Sequence, residues 1–400
     1  MRANRRVVIT GLGAVCAVGH DVPTFFSSLR DGRSGIGPIQ NIPTERLSVR
    51  RAAEIQGLDI AAHFAPRRLT MLDRNSQLAL IAAREAIRHA ALAPSPSDAV
   101  ILGAAFGHET FDEVYRQFYA EGAHRVHPFT VPKVMPNAPA SHISMEFGMR
   151  GPCFTTASAC ASATHAIGIA FHMIRSGSVD VVITGGTDAS VVVGVLKGWE
   201  GLRVLSADTC RPFSRDRTGL VIGEGAGILV IESLDHARER GAVAHAEIVG
   251  FGMGADGADI TAPDPAGAAA AMRHALHDAE CEPGEIDYVN AHGTGTRLND
   301  TTEVAALRQV FGERMPLVSS TKSMIGHCLT AGGALELIAT VMALRDGIVP
   351  PTANFSEADP ACGIDCVPNV AREASTRTAL SNSFAFGGLN AVLVTRRMGG

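Results

Sequence analysis

The chain has no run of 18 or more uncharged apolar residues, which excludes a membrane-spanning helix. It has no block of like charge either. Thirty-five Lys and Arg stand against 40 Asp and Glu, a formal net charge of −5, so neither nucleic acid nor an anionic membrane is an expected partner. Two Cys/His pairs at metal-ligand spacing are missing. The eight cysteines (16, 153, 160, 210, 281, 328, 362 and 366) are scattered as in a reduced compartment. Cys362 and Cys366 have no second Cys/His pair, so no metal is expected. The basic start, Met1-Arg2-Ala3-Asn4-Arg5-Arg6, leads into residues 7–10, too short a stretch for a signal-peptide core, and a cytoplasmic location is expected.

What is present is an α/β pattern. Four hundred residues exceed one usual core, and short β-branched runs alternate with alanine-rich stretches of helical period. Strands are predicted at 7–10, 99–102, 179–184 and 227–232, with helices at 76–91 and 234–240. A second series follows: strands 246–250, 288–291, 317–320 and 391–395, with helices 266–279, 303–310 and 331–344. Gly185-Gly186-Thr187 and Gly387-Gly388-Leu389 look like matching late turns of a duplicated unit, 1–245 and 246–400. No low-complexity linker separates the two halves, so they are expected to pack as one body. Residues 7–16, with Gly11 and Gly13, imitate the opening of a dinucleotide-binding turn. Cys16 stands where Gly or Ala belongs and no acidic strand end follows about 20 residues later, which argues against a nucleotide site.

Five features could carry chemistry. Cys160 lies among small residues, Thr155 to Ala163, ahead of a helical segment at 166–174. At a helix start, backbone N–H groups and the dipole would favour a thiolate. His292, in Asn290-Ala291-His292-Gly293-Thr294-Gly295-Thr296, follows a strand. Lys322 and His327 lie close together before a helix. Ala385-Phe386-Gly387-Gly388 is a turn able to aim an N–H at an oxyanion. Glu336 is one of few charges in the apolar helix 331–344 and a candidate partner for Lys322. Single cysteines and histidines are often structural, and on the residues alone both readings of Cys160 stand.

Taken in order, Ala159-Cys160, Ala291 to Thr296, Lys322 to His327 and Asn382 to Gly388 resemble the motifs of the β-ketoacyl-ACP synthases of synthase II type. The resemblance runs over nearly the whole chain. Within that family, Trp199 to Val204, Asp208 to Ser214 and Phe384 to Asn390 are similar to the nodulation-protein-E-like branch. It implies a duplicated thiolase fold, each half βαβαβαββ, in an α-β-α-β-α arrangement. It implies that Cys160 accepts an acyl chain from acyl carrier protein (ACP) or CoA, with the N–H groups of Cys160 and Phe386 as oxyanion hole. His292 and His327 would hold the malonyl-ACP thioester during decarboxylation, and Lys322, tied to Glu336, would orient the site. Thr294 and Thr296 would bind the phosphopantetheine arm, Gly387 would also touch substrate, Phe386 would form the gate, and Asp300 would support the site. No cofactor is implied. A homodimer, or a heterodimer with a paralogous chain-length subunit, would form through a strand at 154–158.

Two departures bear on the substrate. Ala385 and Leu389 replace the family's usual Gly and Thr, and Ala105, next to Phe106, stands near the position of a bulky aliphatic gate. A long, rigid or unsaturated acyl chain in a specialised pathway is expected, with housekeeping elongation as the alternative. A non-catalytic chain-length subunit would have lost Cys160, and a degradative thiolase would carry a second cysteine where Phe386 stands.

Overall fold

The computed structural model describes residues 5–399. Residues 1–4 of the basic start lie outside them, while Arg5 and Arg6 pair with Asp180 and Glu247. The first half runs β1 (Val7–Cys16), α1 (Arg74–His89), β2 (Ala99–Ala104), α2 (Ala138–Phe147), β3 (Cys153–Thr156), α3 (Ser162–Arg175) and β4 (Val181–Asp188). A short helix, α4 (Val193–Gly201), precedes β5 (Gly225–Ser233). The second half repeats the plan without that insertion: β6 (Ala246–Ala255), α5 (Pro265–Asp278), β7 (Tyr288–Asn290), α6 (Arg297–Phe311), β8 (Leu317–Ser319), α7 (Gly332–Asp346), β9 (Thr378–Ala385) and β10 (Leu389–Arg397).

These ten strands form one sheet in the order β8-β7-β9-β10-β6-β1-β5-β4-β2-β3. Read outward from the β1–β6 junction, the two sides have the same design. An antiparallel ribbon (β1-β5-β4 or β6-β10-β9) is followed by two parallel strands (β2 and β3, or β7 and β8). Helix α1 covers one outer face and α5 the other, while α3 and α7 pack on each other between the halves. The layers therefore run α-β-α-β-α. Every residue of β1, β4 and β5 is buried, as expected for strands covered on both faces. Helix α7 is buried from Gly332 to Leu344, a helix apolar nearly all round.

The glycines at 11 and 13 have a packing role. Strand β1 continues straight through them, and a Cβ at Gly13 would sit 2.0 Å from the Ala82 carbonyl oxygen of α1. At the matching place in the second half, a Cβ on Gly252 would lie 2.2 Å from the Ala271 carbonyl of α5. Strand and helix approach this closely only without side chains.

Two expectations need correction. Gly185-Gly186-Thr187 is interior to β4 and is not a turn, so it does not match Gly387-Gly388. The structural counterpart of β4 is β9, which the sequence reading missed. Thr378-Ala-Leu-Ser-Asn-Ser-Phe-Ala is small and polar, with little strand propensity of its own, and tertiary cover on both faces makes it a strand.

Candidate active site

Cys160 occupies the single-turn 3-10 helix Ala159–Ala161 that feeds α3. The preceding residue, Ala159, is in the left-handed region at φ +48°, an uncommon conformation that turns the thiol into the interior. Small polar neighbours lace this turn. The Ser162 hydroxyl donates to the Ala159 carbonyl (2.7 Å) and accepts from the Ser158 N–H (2.9 Å), and Thr156 Oγ1 donates to the Ser162 carbonyl (2.8 Å). In the second half, Leu329 at φ +43° opens the matching turn ahead of α7, so Thr330 is the counterpart of Cys160.

The expected thiolate does not follow. Burial pushes the Cys160 thiol up to about 11, outweighing the opposing pull of Lys322 and of the Phe386 and Cys160 N–H groups. The Phe386 and Cys160 N–H groups thus lie close enough to the sulfur to oppose its rise, beside the place where an acyl oxyanion would form.

His327 follows the four-residue helix Lys322–Ile325 and Gly326, whose φ is +65°. Its Nε2 is 3.0 Å from Cys160 Sγ. Leu329 N–H donates to Nδ1 at 3.3 Å, so the proton of the neutral ring belongs on Nε2, facing the sulfur. His292 lies just beyond β7, its ring 5.4 Å from that of His327 at 84°. Burial first, and Lys322 next, hold both imidazoles well below the usual histidine range, so both are neutral. Ligand atoms of Cys160, His292 and His327 lie within 4.8 Å of one another, the one grouping among the described residues that could grip a metal ion. Lys322 forms an ion pair with Glu336, both 1% exposed.

Glu303 was not foreseen. Its carboxylate accepts the N–H groups of His292 (2.8 Å) and Gly293 (2.7 Å) and the Asn382 amide (3.2 Å), fixing the turn that carries His292. The available signal was Asp300 and Glu303, one turn apart on the same helix; both are fully buried. Asp300 does not touch the cavity. It secures the chain from beneath by accepting the N–H groups of Phe213 (2.8 Å) and Gly295 (3.1 Å). Glu303→Gln retains one acceptor where two N–H groups need partners. It should lower the unfolding free energy by about 1–3 kcal/mol, measured by urea denaturation.

A cavity of about 240 Å³ opens on Cys160, His292 and His327. Thr294 and Thr296 border it, hydrogen bonded to each other at 2.9 Å, as do Phe386 and Gly388. Gly387 does not, and it turns its N–H to the Ile260 carbonyl instead (2.7 Å). Ala105 and Phe106 do not border this cavity either. Phe106 is 40% exposed and stacks on Phe111 at 4.5 Å, at the head of an exposed aromatic series. The apolar walls come from residues not foreseen as lining the site, including Trp199, Leu202, Leu220 and Ile260.

Comparison with known proteins gives the same picture from another direction. Residues 4–237 match the family model "Beta-ketoacyl synthase, N-terminal domain" and 245–356 the C-terminal domain. Nodulation protein E of Rhizobium sp. (strain N33) is 49% identical over 99% of this chain and 100% of its own length. The 3-oxoacyl-[acyl-carrier-protein] synthase 2 of Staphylococcus aureus (strain COL) is 42% identical over 99% of each. Among solved structures, the ishigamide ketosynthase/chain length factor superposes with a TM-score of 0.95 at 38% identity, covering 99% of this chain and 100% of that one. A ketosynthase of a type II polyketide synthase, solved in complex with its acyl-carrier protein and bound to the hexaketide, gives 0.90 at 29%, with the same coverage.

Proposed function

The chain belongs to the β-ketoacyl synthase family and is a condensing acyltransferase acting with acyl carrier protein, and on that premise we propose that Cys160, His292, His327 and Lys322 are its catalytic groups. The observation that carries the assignment is the 3.0 Å approach of His327 Nε2 to Cys160 Sγ, with Phe386 bordering the same cavity.

In the first half-reaction the sulfur attacks the acyl-ACP thioester. The two N–H groups hold the oxyanion, and the thiol proton leaves with the carrier's pantetheine sulfur. In the second, malonyl-ACP binds with its thioester oxygen toward the two imidazoles. The proton on His327 Nε2 donates to that oxygen, and its negative charge grows as the C–C bond to carboxylate breaks and CO2 departs. The resulting enolate attacks the acyl-Cys160 carbonyl. The thiolate is expelled and takes a proton from solvent, and 3-ketoacyl-ACP leaves. Neutral imidazoles suit this work, since each can donate one hydrogen bond without competing for the proton of the thiol. Every bond change is met by these side chains and the two thioesters, so the reading includes no metal or redox cofactor. Thr294 and Thr296, which border the cavity, suit the phosphopantetheine arm.

His327→Ala should slow malonyl-ACP decarboxylation at least a hundredfold, read as release of labelled CO2, while the unfolding midpoint moves little. An unaltered rate would remove His327 from the mechanism.

The substrate reading is a long, rigid or unsaturated acyl chain in a specialised pathway of a cytoplasmic enzyme. Ala385 in the gate turn and the higher identity to Nodulation protein E than to the synthase 2 of S. aureus support it. Mass spectrometry of carrier-bound products, with Ala105→Ile as comparison, tests it. Preference for ordinary short saturated chains in both proteins would end it. The outer edge of β3, with Cys153 and Phe154 exposed, supports pairing with a second copy or a paralogous subunit. Native mass spectrometry distinguishes the two.

A further inference from the structure

Trp199 is the one tryptophan in 400 residues, and its ring stacks on that of Phe386, centroids 5.6 Å apart and planes 25° from parallel. Both rings border the cavity at Cys160. The two partners are held very differently. Trp199 sits on α4, which is fastened near both ends. Gly194 N–H donates to Asp112 (3.2 Å), and the Glu200 carboxylate accepts the N–H of Val49 (2.8 Å) and the Lys197 ammonium (2.7 Å). Phe386 sits in a turn whose next two residues, Gly387 (φ +86°) and Gly388 (φ +67°), have unusual backbone latitude. The far side of that turn is tied to the segment 256–260, through Gly387 N–H to the Ile260 carbonyl (2.7 Å) and Asp256 N–H to the Gly388 carbonyl (2.9 Å). The indole face is the fixed surface on its near side.

One residue thus carries both the ring that meets Trp199 and an N–H beside the Cys160 sulfur, at the wall of the same cavity. When the ring moves, the N–H moves with it. We propose that Trp199 is a positioning residue for the first half-reaction: its stack on Phe386 holds the turn with the Phe386 N–H beside the sulfur, and release of that stack accompanies entry of the second substrate. The proposal rests on the reading of Cys160 as acyl acceptor. It predicts an asymmetry between half-reactions, because acyl transfer uses the N–H at the sulfur while decarboxylation at His292 and His327 does not.

The test measures the half-reactions separately in the full-length enzyme. Transfer of a labelled acyl group from acyl-ACP to Cys160 is followed by rapid quench, and malonyl-ACP decarboxylation is followed on enzyme alkylated at Cys160. Trp199→Leu, which keeps apolar volume but removes the π face, should slow acyl transfer about fivefold. It should leave decarboxylation at the wild-type rate or above it. Trp199→Phe should restore transfer. In the wild type, a non-decarboxylating malonyl-ACP analogue added to acylated enzyme should shift the emission of the single tryptophan as its stack is lost. Equal losses in both half-reactions, transfer by Trp199→Leu at the wild-type rate, or emission indifferent to the analogue would each overturn the role of Trp199. Failure of the underlying reading would look different, since no label would reach Cys160 even in the wild type.

Discussion

Cys160→Ala should abolish condensation, with a loss of at least about 10⁴-fold in kcat, because Cys160 is the one thiol among the described residues lining the cavity. Malonyl-ACP decarboxylation should survive, since His292 and His327 remain. Iodoacetamide should label Cys160 as well as the exposed Cys153, the two sites being read separately by peptide mass spectrometry, and the pH dependence of labelling at Cys160 carries extra information. Alkylation proceeds through the thiolate. With burial pushing this thiol up to about 11, the rate should climb about tenfold per pH unit from 7 to 10 without levelling near the ordinary 9.0. A plateau near pH 7 would mean that the helix start and Lys322 outweigh burial. Preserved turnover in Cys160→Ala would end the nucleophile assignment. During acyl transfer the high value is no obstacle, because the proton departs with the leaving pantetheine sulfur as the new bond forms.

The second large effect concerns the ion pair beneath the site. Lys322 and Glu336 are each 1% exposed, and burial drives the Glu336 carboxyl above its usual range while Lys322 opposes this. Removing one partner strands the other. Glu336→Gln should cost about 3–5 kcal/mol of unfolding free energy, measured by urea denaturation. The double variant Lys322→Met with Glu336→Leu should recover much of that loss, since the desolvation of both charges disappears together. Activity should not return with stability. Lys322 is the leading influence holding the Cys160 thiol down against burial, and it also helps keep both imidazoles neutral. Without it the thiol rises further and acyl transfer slows. Recovery of full condensation in the double variant would reduce the pair to a structural feature.

Much of this site could be read from the chain because its chemistry is concentrated in short runs. Cys160, His292, Lys322 and His327 each stand among glycines, serines or threonines, residues that shape turns, and those turns converge. The pairing of Lys322 with Glu336 was legible too, since a lone carboxylate in an apolar helix needs a cation. The misses have physical causes. Strand β9 has no periodicity of its own, because both faces are covered and its small polar residues pair laterally. Glu303 acts on backbone N–H groups, which leave no trace in side-chain spacing. The expectation of a low thiol at Cys160 weighed the helix start, which sequence reveals, without the burial, which it does not. The cavity walls come from the Trp199 to Val204 stretch, read in the sequence only as a mark of the branch, and from the 259–263 segment, distant in sequence from every motif. Ala105 and Phe106 were placed by counting back from Cys160, and they fall just past the end of β2, away from the cavity lining.

The two left-handed turns, at Ala159 and Leu329, took up opposite trades. One presents a reactive sulfur. In its twin the corresponding side chain is Thr330, whose hydroxyl donates to the Thr187 carbonyl and the Asp188 carboxylate at the end of β4 (each 2.7 Å), lashing the second half to the first. The two halves therefore divide the work, with a tool on one side and a rivet on the other. Because His327 lies only three residues before that rivet, the partner of the sulfur is anchored to the seam between the halves. A change that loosens this seam should disturb the thiol–imidazole distance before it unfolds anything.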